Sequence, residues 1–252
     1  MPHHTRNPNG VTKGMPRGVN DGRGFTSLPD LARQRQAAYR LFSQSLVYPE
    51  ASRLETIGIV AGELARQSEP WTGFAFFHDW NLFLHALAGL SQQEAANLQG
   101  EYVSSFQANR PSVPCPIYEL VYLAAEPSAA ALLLAQLEID YARAGLVASP
   151  SPRQAPDHVS VELEFMSFLC AREAEGWEAE DIHQARQSLK KERRFLKAHL
   201  NRWFPQFAGR VKALNPEGVF ASATRAAAAF IVHDGDLIDG LLRRFEGVRE
   251  AP

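Results

Sequence analysis

From Ser27 onward, apolar residues recur at helical spacing, and no alternating apolar and polar run of strand length competes with them. In LPDLARQRQAAYRLFSQSLVYP, Tyr39, Phe42 and Leu46 form one stripe, and Pro49 stops the run. A second amphipathic segment covers 51–67. A third carries Phe77, Trp80, Leu84 and Leu87 on one face, and a fourth opens at Ser91 with Glu94 three residues on, the pattern of a capping box. ALLLAQLEIDYARAGL reads as a helix ending at Gly145. In DHVSVELEFMSFLCAREAE, Val159, Leu163, Met166 and Cys170 make a stripe that Phe165 and Leu169 widen. SLKKERRFLKAHLNRWF reads as one long helix, with Leu189, Leu196, Leu200 and Trp203 on a face before Pro205; Asn215, Pro216 and Glu217 then read as the next helix start. The pattern predicts an all-α fold, a single helical globular domain of about nine or ten helices. No repeat of solenoid period is present.

Residues 1–26, rich in Gly, Pro, Asn and Arg without an apolar stretch, read as a disordered N-terminal tail and not as a secretory signal. The helical domain is expected over 27–250. GLVASPSPRQAP, with three prolines and no periodicity, predicts a hinge loop over 145–156 between sub-halves 27–145 and 157–250. A long connection of this kind permits exchange of helices, so a monomer or a domain-swapped dimer is expected.

Charge and cysteine usage limit the partners. Lys plus Arg is 26 against 28 for Asp plus Glu, a net charge of -2, which gives no reason to expect nucleic acid or an anionic membrane. Two cysteines are too few for a disulfide framework and suit a reducing, cytoplasmic compartment. No apolar stretch approaches the roughly 18 residues of a membrane span.

Catalytic signatures are sparse. A di-iron bundle needs two Glu-x-x-His pairs, and only Glu180 to His183 has that spacing. His78 and His85 lie seven apart on one helical face; His158 and Glu162 are i, i+4 neighbours, a spacing typical of helix side-chain pairs. A helical-bundle metal-binding protein or enzyme using His78, His85 or His158 is the alternative reading. Cys115, between prolines, has no neighbour in sequence to lower its pKa, and no nucleophile elbow or phosphate loop occurs. No enzyme, no cofactor and no metal are expected.

One segment stands out from the helical background: PSVPCPIYELVYL, in which Pro114 and Pro116 fix the backbone ahead of Tyr118, Glu119 and Tyr122. Such a stiff, partly apolar wall suits a peptide groove. With APDHVSVELEFMSFL and FLKAHLNRWFPQF it resembles, in order and spacing, the TorD/DmsD/NarJ family of molybdoenzyme assembly chaperones over roughly residues 30–235. Tyr118 and Glu119 match that family's first motif, with Leu120 where serine is common. Pro156, Asp157, His158, Glu162, Leu163, Glu164, Phe165 and Met166 match the second, and His199, Leu200, Trp203, Pro205 and Phe207 the third.

The resemblance implies a cytoplasmic, all-helical protein that binds the apo catalytic subunit of a dimethyl sulfoxide reductase-type molybdoenzyme, or its twin-arginine leader. It holds that client for molybdopterin cofactor insertion before export. Tyr118, Glu119, Tyr122, Asp157, His158 and Glu162 would meet the partner, and Pro114, Pro116, Pro156, His199, Trp203 and Pro205 would be structural. By its own position Asp157 reads as a helix N-cap and His158 as a first-turn residue. Glu119 meets either a basic leader or its own loop backbone. Trp203, Phe165 and Met166 read as core. Guanine nucleotides are linked to some members, but with no phosphate loop none is expected here.

Overall fold

A computed structural model describes residues 27–107, 112–146 and 155–246. The expected tail, 1–26, and most of the expected hinge lie outside the described residues. Among the described residues ten α-helices follow one another: α1 (Leu28–Ser45), α2 (Ala51–Arg66), α3 (Phe77–Ala88), α4 (Gln92–Tyr102), α5 (Leu120–Leu123), α6 (Pro127–Arg143), α7 (Val159–Glu178), α8 (Ile182–Ala198), α9 (Leu200–Leu214) and α10 (Val219–Arg244). The only extended pairing among them is an isolated antiparallel bridge, Tyr118 with His158. The all-α expectation is met.

Local chemistry sets most boundaries. Ser27 caps α1 by accepting from the Asp30 amide at 3.2 Å, and the Ser91–Glu94 capping box forms at the head of α4. Gly145, just past the end of α6, has φ 85°, a conformation that glycine adopts without steric cost. Two boundaries differ from expectation. The long helix predicted before Pro205 is two helices, because His199 leaves the helical region at φ -123°, ψ -92° and separates α8 from α9. Pro205 stops nothing: it lies inside α9, exposed, where it removes one helical N–H. The predicted helix start at Asn215 is instead a turn that closes α9. Asn215 donates its amide to Val211 O, accepts from the Gly218 amide, and ties the turn to α4 through Glu101 Oε1 at 3.1 Å.

The expected sub-halves share one core. α1 lies along α7, and α10 packs against α3, α8 and α9. Ser43 Oγ donates to Ser160 O at 2.8 Å and Ser167 Oγ to Gln36 O at 3.0 Å, stitching α1 to α7. α7 and α8 approach closely at Gly176, where a Cβ would lie 2.6 Å from the Ala185 nitrogen. Rings from α1, α3 with the residue before it, and α10 fill the centre, with Phe42 stacked on Phe83 at 5.4 Å and Phe76 edge-on to Phe230 at 5.2 Å. Burying one such side chain contributes about 1.5–3 kcal/mol.

Within this core sits an ionic cluster that periodicity alone did not predict. Arg35 of α1, fully buried, donates to Glu173 of α7, Glu192 of α8 and Asp234 of α10. Tyr39 Oη donates to Asp234 at 2.7 Å and Trp177 Nε1 to Glu173 at 2.8 Å. One guanidinium cannot neutralise three desolvated carboxylates. Burial accordingly pushes Glu192 up to about 8, so it keeps its proton at neutral pH, while Arg35 opposes that shift. The cluster joins four helices at one point.

Candidate functional site

The three motifs converge. Burial alternates across residues 114–119: Cys115, Ile117 and Glu119 are buried, whereas Pro114 and Tyr118 are exposed. The segment bends at 114–115, pairs only through the bridge at Tyr118, and turns into α5 at Glu119, whose backbone is already helical. The buried side is held through backbone bonds, Cys115 N to Ser105 O, Val159 N to Ile117 O and Glu119 N to Asp157 O, each 2.9 Å. The two prolines have no amide to donate, so no N–H at 114 or 116 is left without a partner.

Beneath the segment, Glu119 reaches the α8–α9 break. His199 Nδ1 lies 3.0 and 3.1 Å from its two carboxylate oxygens, and His199 Nε2 is 3.5 Å from Asp140 Oδ2 on α6. Glu162 of α7 accepts from Trp203 Nε1 of α9 at 3.1 Å; its other oxygen has no hydrogen-bond partner among the described residues. The i, i+4 side-chain pair expected between His158 and Glu162 therefore does not form. Tyr141 Oη donates to Pro156 O at 2.7 Å, which fixes the turn leading into α7.

His158, not Asp157, is the N-cap of α7: its Nδ1 accepts from the Ser160 amide at 3.1 Å. The expected aspartate cap is displaced because residues 155–158 make a turn, with the His158 amide donating to Ala155 O. Asp157 points the other way and accepts from the Leu120 amide at 3.4 Å, capping the short helix α5.

Electrostatics follow from burial. Desolvation holds Glu162 well above the usual carboxylate range, the charge of Glu119 adds to this, and the Trp203 N–H opposes it. Asp157 is raised, again by burial, with the Leu120 amide opposing. Burial lowers His158 to about 4, so its ring is neutral, as a capping acceptor must be. Tyr141 is pushed well up by burial and then by Glu162, Glu119, Asp157 and Asp140 around it. The interior below the segment is acidic.

Of the residues expected to meet a partner, Glu119, Asp157, His158 and Glu162 are buried, the first and last at 0% exposure. They frame the site and do not line an open groove. Tyr118, at 38%, is exposed, its ring edge-on to His158 at 5.3 Å, and Val121 beside it is 54% exposed. Tyr122 folds back, donating to Pro116 O at 2.8 Å with Arg210 5.0 Å above its ring and Trp203 5.3 Å away. Pro114, Pro116 and Pro156 shape the two loops. Phe165, Met166 and Trp203 are core, as expected. His78 and His85 are exposed on α3, His158 is committed to its cap, and among the described residues no three His, Cys, Asp or Glu side chains converge as metal ligands.

The nitrate reductase delta subunit family pattern matches residues 75–209, just over half of the chain and including all three motifs. The chain belongs to this family. Among curated relatives it is 27% identical over 146 residues to the chaperone protein TorD of Aeromonas salmonicida, covering 58% of this chain and 63% of that one. It is 36% identical over 69 residues to the selenate reductase assembly chaperone protein of Thauera selenatis, covering 26% and 33%. It is 28% identical over 130 residues to the perchlorate reductase assembly chaperone protein of Dechloromonas aromatica, covering 52% and 56%. The chain thus spans less than two thirds of the length of each. These relatives are named as chaperones and not as enzymes, in accord with the expectation of a chaperone family. Among the described residues no helix is long and apolar enough to cross a membrane.

Proposed function

We propose that this chain is a cytoplasmic assembly chaperone for a molybdoenzyme of the dimethyl sulfoxide reductase type. It binds the apo catalytic subunit and holds it for molybdopterin cofactor insertion before export. The family match and the names of the relatives support the general reading. The observation that carries it at the level of residues is the joining of all three motifs under the proline segment through Glu119, His199, Glu162 and Trp203.

In this reading the buried residues do not themselves grip the closed surface. They hold segment 112–124 so that Tyr118 and Val121 face the client. A twin-arginine leader is the client segment whose charge suits the site, since lifting the segment would uncover Glu119, Asp157 and Glu162 around Tyr141. Charge-assisted bonds from arginine to such carboxylates contribute about 1.5–3 kcal/mol each.

Affinity capture of the tagged full chain from its host, with identification of co-eluting proteins, tests the proposal. Co-elution of a molybdoenzyme catalytic subunit lacking its cofactor is expected. Co-elution of only the cofactor-loaded subunit, or of none in cells that make it, would overturn it.

A further inference from the structure

A second surface goes beyond this reading. Between α6 and α8 lies a cleft of about 390 Å³ whose rim carries Arg143, Lys190, Lys191 and Arg194, and whose floor is formed by Phe165, Phe195 and the nearly buried Asp140. Asp140 pairs with Arg194 at 3.1 Å and with Arg143 at 3.8 Å, so one carboxylate serves two guanidinium groups. Lys190 and Lys191 are exposed, with no ion-pair partner among the described residues. Lys197 extends the row and shares Asp239 with Arg193. Cations outnumber carboxylates along the whole stripe.

We infer that the cleft between α6 and α8 is a docking site for an acidic segment of a partner polypeptide. Residues 190, 191, 194 and 197 lie on one exposed face of α8, over a rise of about 10 Å. A single small anion engages only part of that length, whereas carboxylates spaced along a peptide meet the cations in turn. Nucleic acid fits less well: Asp140 and Asp239 stand in the row, and both phenyl rings are almost fully buried, leaving no face for a base to stack on. The assignment does not depend on what Tyr118 and Val121 bind.

The test uses the full chain and a fluorescein-labelled peptide of alternating glutamate and alanine, read by fluorescence anisotropy. Binding that weakens as salt is added is expected. Lys190→Glu with Lys191→Glu should weaken it about tenfold, at an unchanged melting temperature because neither lysine is paired. Arg143→Gln, from the facing helix, should weaken it in the same direction, and Lys212→Glu on α9 should leave it unchanged. Absence of binding to the wild-type chain, equal binding by the Lys190 and Lys191 variant, or displacement of the peptide by inorganic pyrophosphate or a single-stranded oligonucleotide that binds more tightly would each overturn the inference.

Discussion

His199 Nδ1 lies 3.0 and 3.1 Å from the two carboxylate oxygens of Glu119, a contact between buried residues 80 positions apart that ties the proline segment to the break between α8 and α9. Removing either partner strands the other in a desolvated site. Glu119→Ala and His199→Ala should each destabilise the fold by about 3–5 kcal/mol, with the double variant costing much less than the sum. Urea denaturation of the four proteins of the cycle checks this; additive losses would mean that the contact is energetically idle.

The cap of α7 makes a separable prediction. His158→Asn should retain most of the capping energy and His158→Ala should lose about 1 kcal/mol. The ring is neutral in the fold, with a pKa of about 4 against 6.5 for a free histidine, so its stabilisation is complete above 6.5 and is lost as pH falls towards 4. Asp157 and Glu162 have raised values and act in the opposite sense, favouring the fold at low pH. Comparing melting temperatures of wild type and His158→Asn between pH 7 and pH 4 isolates the histidine: the acid-side loss should be smaller in the variant.

The core cluster has its own pH signature. Glu192 titrates near 8 in the fold against 4.5 as a free group, so its contribution is complete below 4.5 and is lost as pH rises to about 8. Glu192→Gln keeps the shape without the charge and should flatten the stability profile across that window. Arg35→Met leaves three buried carboxylates facing one another and should unfold the protein at neutral pH or lower its stability by at least about 3–5 kcal/mol. Circular dichroism melts across the window decide both.

Pro114 and Pro116 have no amide to donate, so replacing them removes no hydrogen bond and acts mainly by freeing the unfolded chain. Replacing both with alanine should cost about 0.4–1 kcal/mol per site in stability. If they hold the segment in shape for a partner, client binding should fall by more than that. Equal losses would assign them to the fold alone.

The periodic helices were legible because each buries one stripe, and the Ser91–Glu94 box marked its boundary through local chemistry alone. The break at His199 was not legible: Leu196, Leu200 and Trp203 keep helical spacing across it, and the residue at the break meets Glu119, 80 positions away. The Arg35 cluster did leave a trace. Arg35 falls between Ala32 and Tyr39, Glu173 between Cys170 and Trp177, Glu192 between Leu189 and Leu196, and Asp234 between Ile231 and Ile238, a charge set in an apolar stripe each time. The motif residues were identifiable from resemblance, but their burial was not. A proline-rich loop whose alternate residues are buried reads in sequence like an exposed one, and only the backbone bonds to Ser105, Asp157 and Val159 reveal which side is covered.

The most direct test of the account is calorimetric titration of the full chain with the cofactor-free catalytic subunit that affinity capture identifies, comparing wild type with Val121→Glu. Val121 is 54% exposed on α5 beside Tyr118, so a charge there should leave the melting temperature unchanged. The account predicts saturable binding by the wild type, weakened about tenfold or more in the variant, a loss of at least 1.4 kcal/mol at the client-facing edge. Equal affinity in the two proteins, or no binding by the wild type, would contradict it.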